Sequence, residues 1–262
     1  MEYLKQLTRL LSLEYNCSPE DFLRPEKDSV LTVPALREGR RMYSKEKYFF
    51  HMCTLGGNAV ITADERLHPF LSEFMREKSG YWLFEMNNLH PLETELNRFG
   101  HTLTDSFHMF LPRERISNEA LLGRVRAALP VLRLESFSED GILPFYGHPL
   151  LKNAILEKYT PERPDRRLLC AYIGDELIAA AGSSEDAKDW MQIGVDVDER
   201  FRSKGLGTLL VNMLKNELLD EGFIPFYGTG VSNYRSWNIA LNCGFRPAWL
   251  EIGSTRSSPE RR

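Results

Sequence analysis

The chain has 262 residues, enough for one large domain or two of ordinary size. An apolar fraction of 42% can bury a real core, and 27% charged residues is ordinary for a globular protein. The net charge of −4 excludes a general affinity for nucleic acid, and no apolar run approaches the roughly 18 residues that a membrane helix needs.

Cys17, Cys53, Cys170 and Cys243 are widely spaced, with no Cys-x-x-Cys pair. That pattern suits reduced thiols better than a disulfide framework or a zinc site. Met1-Glu2-Tyr3-Leu4-Lys5 lacks the basic region and apolar core of a signal peptide. A soluble, cytoplasmic protein is expected, with no membrane or nucleic-acid partner.

Taken in chain order, Tyr3 to Glu14 reads as an amphipathic helix with Leu4, Leu7, Leu10, Leu11 and Leu13 on one side. Ser18-Pro19-Glu20-Asp21 is a helix start: a serine cap, proline at the first helical position and acids in the first turn. Val30 to Val33 and Phe49 to Leu55 read as strands, and Gly56-Gly57-Asn58 as a tight turn into Ala59. Leu67 to Met75 reads as helix, Tyr81 to Met86 as strand, Pro91 to Phe99 as helix closing at Gly100, and Leu103 to Leu111 as strand. This half has the elements of an α/β layer but no phosphate loop and no catalytic cluster. His51, His68, His90, His101 and His108 all lie in it. None forms a His-x-x-x-His or Glu-x-x-His helical pair, so structural histidines are expected and no metal site.

Pro112 to Pro130 reads as a connector carrying a polar helix over Ser117 to Leu129. A strand at Leu132-Arg133-Leu134-Glu135 opens the second half, followed by an irregular, partly helical stretch to Tyr159 and a loop over Thr160 to Asp165. Leu168 to Ile173 and Leu177 to Gly182 form a β-hairpin about Gly174-Asp175-Glu176. Ser183 to Asp189 reads as a polar turn and Met191 to Val197 as a strand. A long helix then runs to Glu221 and stops at Gly222, and Phe223 to Tyr227 is the next strand. Ser232 or Asn233 caps a helix ended by Gly244, and Phe245 to Ile252 is the last strand. Polar residues follow from Gly253. The expected division is an N-terminal α/β domain over 1–125, a second domain over 126–254 and a disordered tail over 255–262.

The most informative stretch joins the strand at Val195 and Val197 to the long helix, whose apolar residues Leu206, Leu209, Leu210, Met213, Leu214 and Leu218 fall at helical spacing. The turn between them is Arg202-Ser203-Lys204-Gly205-Leu206-Gly207. Such a turn presents free N–H groups at a helix N-terminus, where the dipole favours an anion. Gly205 and Gly207 have no Cβ to hold a phosphate off, and Arg202 and Lys204 add positive charge. A dinucleotide fingerprint would need a third glycine where Leu210 stands. A Walker A loop would need its lysine after the second glycine, whereas Lys204 precedes Gly205.

The stretch resembles the Arg/Gln-x-x-Gly-x-Gly/Ala motif of the GCN5-related N-acetyltransferases (GNAT), including the preceding Val197-x-x-x-Phe201-Arg202. A second family motif, Asn-x-x-Ser/Ala-x-x-aliphatic and then Gly-Phe, is similar to Asn233, Ser236, Ile239 and Gly244-Phe245. The order of elements from Val131 to Ile252 is also that of the family. The fold class expected is α/β with a mixed sheet: a C-terminal GNAT fold with splayed central strands, preceded by a smaller α/β domain.

The resemblance implies that the N–H groups of Ser203, Lys204, Gly205, Leu206, Gly207 and Thr208 hold the pyrophosphate of acetyl-CoA, assisted by the Arg202 and Lys204 side chains. It implies that the strand edge at Val195 and Val197 pairs with the pantetheine amides, that Asn233 reaches the cofactor, and that the Val197 N–H meets the oxyanion. An N-acetyltransferase acting on a primary amine of a small molecule or peptide follows, without metal; the alternative is an acyl-CoA-binding regulatory module without turnover. A homodimer is compatible with either. Two departures leave the catalytic residues unassigned. The family's usual general-acid tyrosine position holds Ala240, and the usual base positions hold Met191 and Ile193. Tyr227, Tyr234 and Asp196 are nearby substitutes, each with a structural role as the simpler reading. Finally, Thr62-Ala63-Asp64-Glu65-Arg66-Leu67 echoes Asp196-Val197-Asp198-Glu199-Arg200-Phe201. The echo reads either as chance or as a degenerate GNAT-like first half that lost its cofactor turn.

Overall fold

The computed structural model describes residues 3–257; residues 258–262 of the expected tail lie outside them. The chain divides into two compact units, Met1–Met109 with Ala248–Arg262, and Phe110–Pro247. It passes from the first to the second within β5 (Phe107–Pro112) and returns within β11 (Phe245–Arg256).

In the first unit, helix α1 (Leu4–Glu14) buries Leu7, Leu10 and Leu11 as its leucine spacing dictates. A 3-10 turn, Pro19–Leu23, follows the serine cap, with Asp21 accepting from the Ser18 N–H at 2.8 Å. Strands β1 (Val30–Thr32), β2 (Phe50–Thr54) and β3 (Ala59–Ala63) are joined with the end of β11 in the order β1-β3-β2-β11. β1 runs parallel to β3, and the other two pairings are antiparallel. Helices α2 (His68–Phe74) and α3 (Met86–Asn97) supply Leu71, Leu92 and Leu96 to a core completed by Phe50, Ile61 and Ile252.

Tyr81 to Met86, expected as a strand, contains a 3-10 turn, Gly80–Phe84. Its backbone lies so close to Asn58 and Ala59 that a Cβ on Gly80 would overlap the Ala59 nitrogen. The Tyr81 N–H is spent on the Gly57 carbonyl at 3.1 Å, so the aromatic run serves a packing corner. The expected strand over Leu103 to Leu111 is broken into β4 (His101–Leu103) and β5. Gly253 to Arg256 are not part of a disordered tail: they extend β11, with Ser254, Thr255 and Arg256 opposite Leu103, Thr102 and His101.

The polar centre of this unit is a buried triad. Arg41 donates through Nε to Glu14 at 2.5 Å and through Nη2 to Glu251 at 2.7 Å. Trp249 donates its indole N–H to the same Glu251 at 2.7 Å. One guanidinium thus satisfies two buried carboxylates that could not remain there unpaired.

In the second unit, α4 (Asn118–Ala128) follows a Ser117 cap. The sheet then runs in the order β10-β9-β8-β7-β6, from β6 (Leu132–Ser138), β7 (Asp165–Ile173), β8 (Glu176–Ala187), β9 (Trp190–Val197) and β10 (Ile224–Gly230). Only β9 and β10 are parallel among these pairs. Between them in the chain lies α5 (Leu206–Asp220), which covers one face with Leu209, Leu210, Leu214 and Leu218. Helix α6 (Tyr234–Asn242) adds Ala240 to that core. A 3-10 turn at Glu139–Phe145 and the strap after it cover Leu168, Cys170 and Ala180 in a second cluster.

Ser183 to Asp189, expected as a polar turn, is instead the second half of β8. Its polar residues are satisfied inside: Asp186 accepts from Ser184 at 2.7 Å and from Arg163 Nε at 2.5 Å. The turn is confined to Lys188 and Asp189, the latter at φ +67°.

The two echoing hexapeptides fold alike. Asp64 has φ −53° and ψ 137°, and its carboxylate accepts from the Arg66 N–H and guanidinium. Asp198 has φ −55° and ψ 136° and does the same for Arg200. Each Asp N–H closes the preceding hairpin at 2.9 Å, onto Phe49 and Ile178 respectively. The strand directions β1-β3-β2-β11 repeat those of β10-β9-β8-β7, but β1 precedes its partner in the chain whereas β10 follows, and α2 is shorter than α5.

Candidate functional site

The parallel pair β9–β10 parts before either strand ends. Its registered pairs run from Ile224–Trp190 to Tyr227–Ile193, yet β10 continues to Gly230 and β9 to Val197. The Asp198 N–H donates to Ile178 beside β8, and successive backbone groups alternate across a strand. The N–H groups of Val195 and Val197 therefore face away from β8, along the edge that β10 has left. Their N–H groups form a row along which an extended ligand can pair.

That edge leads directly into a turn of unusual backbone. Ser203 has φ +62° and Gly205 φ +83°, two left-handed residues one apart. Glycine takes such a conformation freely; serine takes it only where the surroundings enforce it. Helix α5 begins at once, so Leu206, Gly207 and Thr208 carry N–H groups without intrahelical acceptors. Together they lie at the positive end of a 15-residue helix, where the dipole favours an anion.

The two glycines serve different ends. Gly205 is required by its φ. A Cβ on Gly207 would meet the Ile239 Cδ1 at 2.9 Å and the Val197 Cγ2 at 3.6 Å, so this glycine lets α5 lie close to α6 and β9. The sequence-based idea that Gly207 keeps its Cβ out of a phosphate's way is corrected: the missing atom lies on the protein side.

Arg202 folds back, donating to the Val197 carbonyl at 3.3 Å and to Glu199 at 3.0 Å, and remains half exposed. Lys204 is exposed on the turn. Asn233 caps α6, its Oδ1 accepting from the Ser236 N–H at 3.1 Å; its amide nitrogen is not used by that cap.

On the other face of β9, Asp196 is committed to structure. Its carboxylate accepts from the N–H groups of Lys152, Asn153 and Ala154 at 2.9, 2.7 and 2.8 Å, and from Asn153 Nδ2 at 2.6 Å. A strap over 146–156 is thereby pinned across the sheet. Gly182 and Gly194 make room, since a Cβ on either would overlap the Ala154 or Asn153 carbonyl oxygen. The far end is held by Asp165, which accepts from Tyr146 Oη at 2.9 Å and from the Leu156 N–H at 3.1 Å. Burial pushes Asp165 up to about 6, against the lowering effect of those bonds. Sequence reasoning missed this strap; the paired glycines Gly182 and Gly194, opposite each other in the hairpin, were its only trace.

Of the three candidate substitutes for a general acid or base, Asp196 is occupied by four donors. Tyr234 is 73% exposed at the start of α6. Tyr227 is buried at the point where the strands part, its hydroxyl 2.7 Å from Ser236 Oγ. Met191 and Ile193 lie in the α5-side core, as does Ala240.

A parallel strand pair that opens beside a left-handed turn at a helix N-terminus defines the fold class of this unit. More particularly, residues 133–245 match the acetyltransferase (GNAT) family, and this part of the chain is a GNAT domain of mixed α/β fold. Among solved structures, a protein assigned to the GNAT acetyltransferases from Novosphingobium aromaticivorans is 15% identical, covering 59% of this chain and 66% of its own, with a TM-score of 0.44. This chain thus spans just under two thirds of that protein. A GCN5-related N-acetyltransferase-like protein from Streptococcus suis is 15% identical over 65% of this chain and 69% of its own, with a TM-score of 0.45. A Bacillus subtilis acetyltransferase solved with CoA is 19% identical over 48% of this chain and 98% of its own, with a TM-score of 0.36. No curated protein matches the chain.

Proposed function

We propose that the second unit transfers an acetyl group from acetyl-CoA to a primary amine of a small molecule or peptide. The observation that carries this reading is the continuity of two rows of main-chain N–H groups: the edge at Val195 and Val197, and the turn from Ser203 to Thr208. An anion at the turn and an amide-bearing arm along the edge would satisfy both at once, which is the chemistry of a pyrophosphate followed by pantetheine. Four residues of strand between Val197 and Ile193 span about 13 Å, so the thioester end of the arm would reach the parting point.

No free carboxylate or imidazole is assigned to take the amine's proton. Attack by an already neutral amine, with positioning as the main catalytic term, suits such a site; proximity supplies about 7–11 kcal/mol in well-oriented cases. The same absence favours the second reading, a domain that binds acyl-CoA and signals its presence without turnover. Thiol release from acetyl-CoA with a panel of primary amines separates the two. Release that depends on one amine class supports transfer; tight binding without release supports the regulatory reading.

A further inference from the structure

Amine attack on a thioester forms a carbon–nitrogen bond as the carbon–sulfur bond breaks. The electron pair leaves on sulfur, and the surplus proton of the amine goes to solvent. The group that needs help is the thiolate, expelled where β9 and β10 part, next to the apolar core that Ile193 joins under α5. A thiolate in apolar surroundings is costly unless a hydrogen-bond donor faces it.

Two hydroxyls meet where β9 and β10 part, and a third lies further along β10. Tyr227 is the last registered residue of β10 and turns its side chain towards α6, where its Oη lies 2.7 Å from Ser236 Oγ. Ser236 is half-buried, whereas Tyr227 is 2% exposed, so the serine is the outer member of the pair. Thr229 lies two residues further along β10, hence on the same face and past the last registered pair with β9. Its hydroxyl is buried and has no hydrogen-bond partner among the described residues. A buried hydroxyl left unmet is unfavourable, and the deficit points to a polar ligand atom beside it.

We propose that the Ser236 hydroxyl donates a hydrogen bond to the leaving sulfur of the bound thioester, with Tyr227 as the positioning residue that donates to Ser236 Oγ from behind. The inference rests on the acetyl-CoA reading of this site. A serine oxygen that accepts from a phenol has its own proton directed outward, and the two bonds strengthen one another. Tyr227 suits the inner place because burial raises its phenol to about 12, so it stays protonated and donating; the Ser236 bond opposes that rise, and the Cys243 and Asp196 charges add to it. Cys243, on the same core, is itself raised to about 12 by burial and directs its thiol to the Thr208 carbonyl at 3.2 Å. Ala240, one turn beyond Ser236 on α6, brings no competing donor.

The test uses the full-length protein and CoA itself, whose free thiol is the probe. Thiolate absorbance of bound CoA is titrated in wild type, Ser236→Ala and Tyr227→Phe, with affinity measured calorimetrically at pH 6, where the thiol is neutral. The expected result is equal affinity at pH 6 in all three proteins. The bound thiol should ionise about one pH unit lower in wild type than in Ser236→Ala, a tenfold shift, with Tyr227→Phe between them. Coincident titrations in wild type and Ser236→Ala, with CoA bound equally well, would overturn the hydroxyl assignment and leave the cosubstrate site standing. Failure of CoA to bind wild type would overturn both.

Discussion

At the scale of single residues, the turn before α5 assigns distinct duties to glycines that the sequence presents as equivalent. Gly205 holds a left-handed φ of +83°, so Gly205→Ala adds backbone strain of about 1–2 kcal/mol at the anion site itself. Gly207 has an ordinary helical backbone, and a methyl group there would be crowded only by the flexible end of Ile239, with Val197 at ordinary contact distance. We expect acetyl-CoA affinity to fall at least tenfold in Gly205→Ala and less than threefold in Gly207→Ala, measured side by side by calorimetry. Equal losses would show that the two glycines act alike after all. Asp165 adds a pH-dependent term. Its folded pKa of about 6 lies above the ordinary carboxyl value, so its contribution to stability is fully present below the ordinary value and lost as pH rises through 6. Asp165→Asn should therefore gain on wild type by roughly 2 kcal/mol between pH 4 and pH 7 in denaturant titrations. A constant difference across that range would refute the buried-carboxyl assignment.

At the scale of elements, the strap over 146–156 has almost no regular structure of its own, and β9 supplies its order. Three consecutive main-chain N–H groups converge on Asp196, and two glycines admit its carbonyls. Asp196→Ala strands those donors, each costing about 1–3 kcal/mol if buried. Hydrogen exchange should show protection lost at Lys152, Asn153 and Ala154, with the β8–β9 ladder retained. Unchanged protection would mean that the glycine notches alone hold the strap. This element also marks where sequence reasoning stopped. The turn from Asp198 to Gly207 was legible because its requirements are local: a capping aspartate, left-handed positions and a helix start within ten residues. The strap depends on partners some forty residues away, and no local pattern around Lys152 announces them. The second half of β8 was hidden for a related reason. Ser184 and Asp186 read as turn residues until Arg163 is seen to satisfy them. The aromatic run after Gly80 misled in the opposite sense, because β-favouring side chains there cap a corner rather than join a ladder.

At the scale of the whole molecule, the expected division at 125/126 falls inside α4, whereas the compact units change at Met109/Phe110 and the chain from Ala248 rejoins the first; the second half carried the family resemblance that the match over 133–245 bears out. The first unit was far less legible. Its polar centre joins Glu14, Arg41 and Glu251, separated by 27 and 210 positions, so no window of sequence contains it. Arg41→Met leaves two carboxylates buried without a cation and should cost about 3–5 kcal/mol, enough to unfold this unit at mild denaturant concentrations. Replacing all three residues by apolar ones should cost much less; an equal cost would show that the triad stabilises by charge rather than by mutual satisfaction. The repeated Asp-x-Arg turn, at residues 64–66 and 198–200, shows that the local geometry preceding the α5 turn occurs in both units, while among the described residues the paired left-handed positions follow it only in the second.

The most direct measurement is calorimetric titration of the full-length protein with acetyl-CoA beside a Gly205→Glu variant, whose carboxylate and strained backbone both oppose an anion at the turn. Saturable binding on the order of micromolar in wild type, lost in the variant, is the predicted result. No binding to wild type, or undiminished binding to Gly205→Glu, would contradict the assignment of the β9 edge and the α5 turn as the acetyl-CoA site.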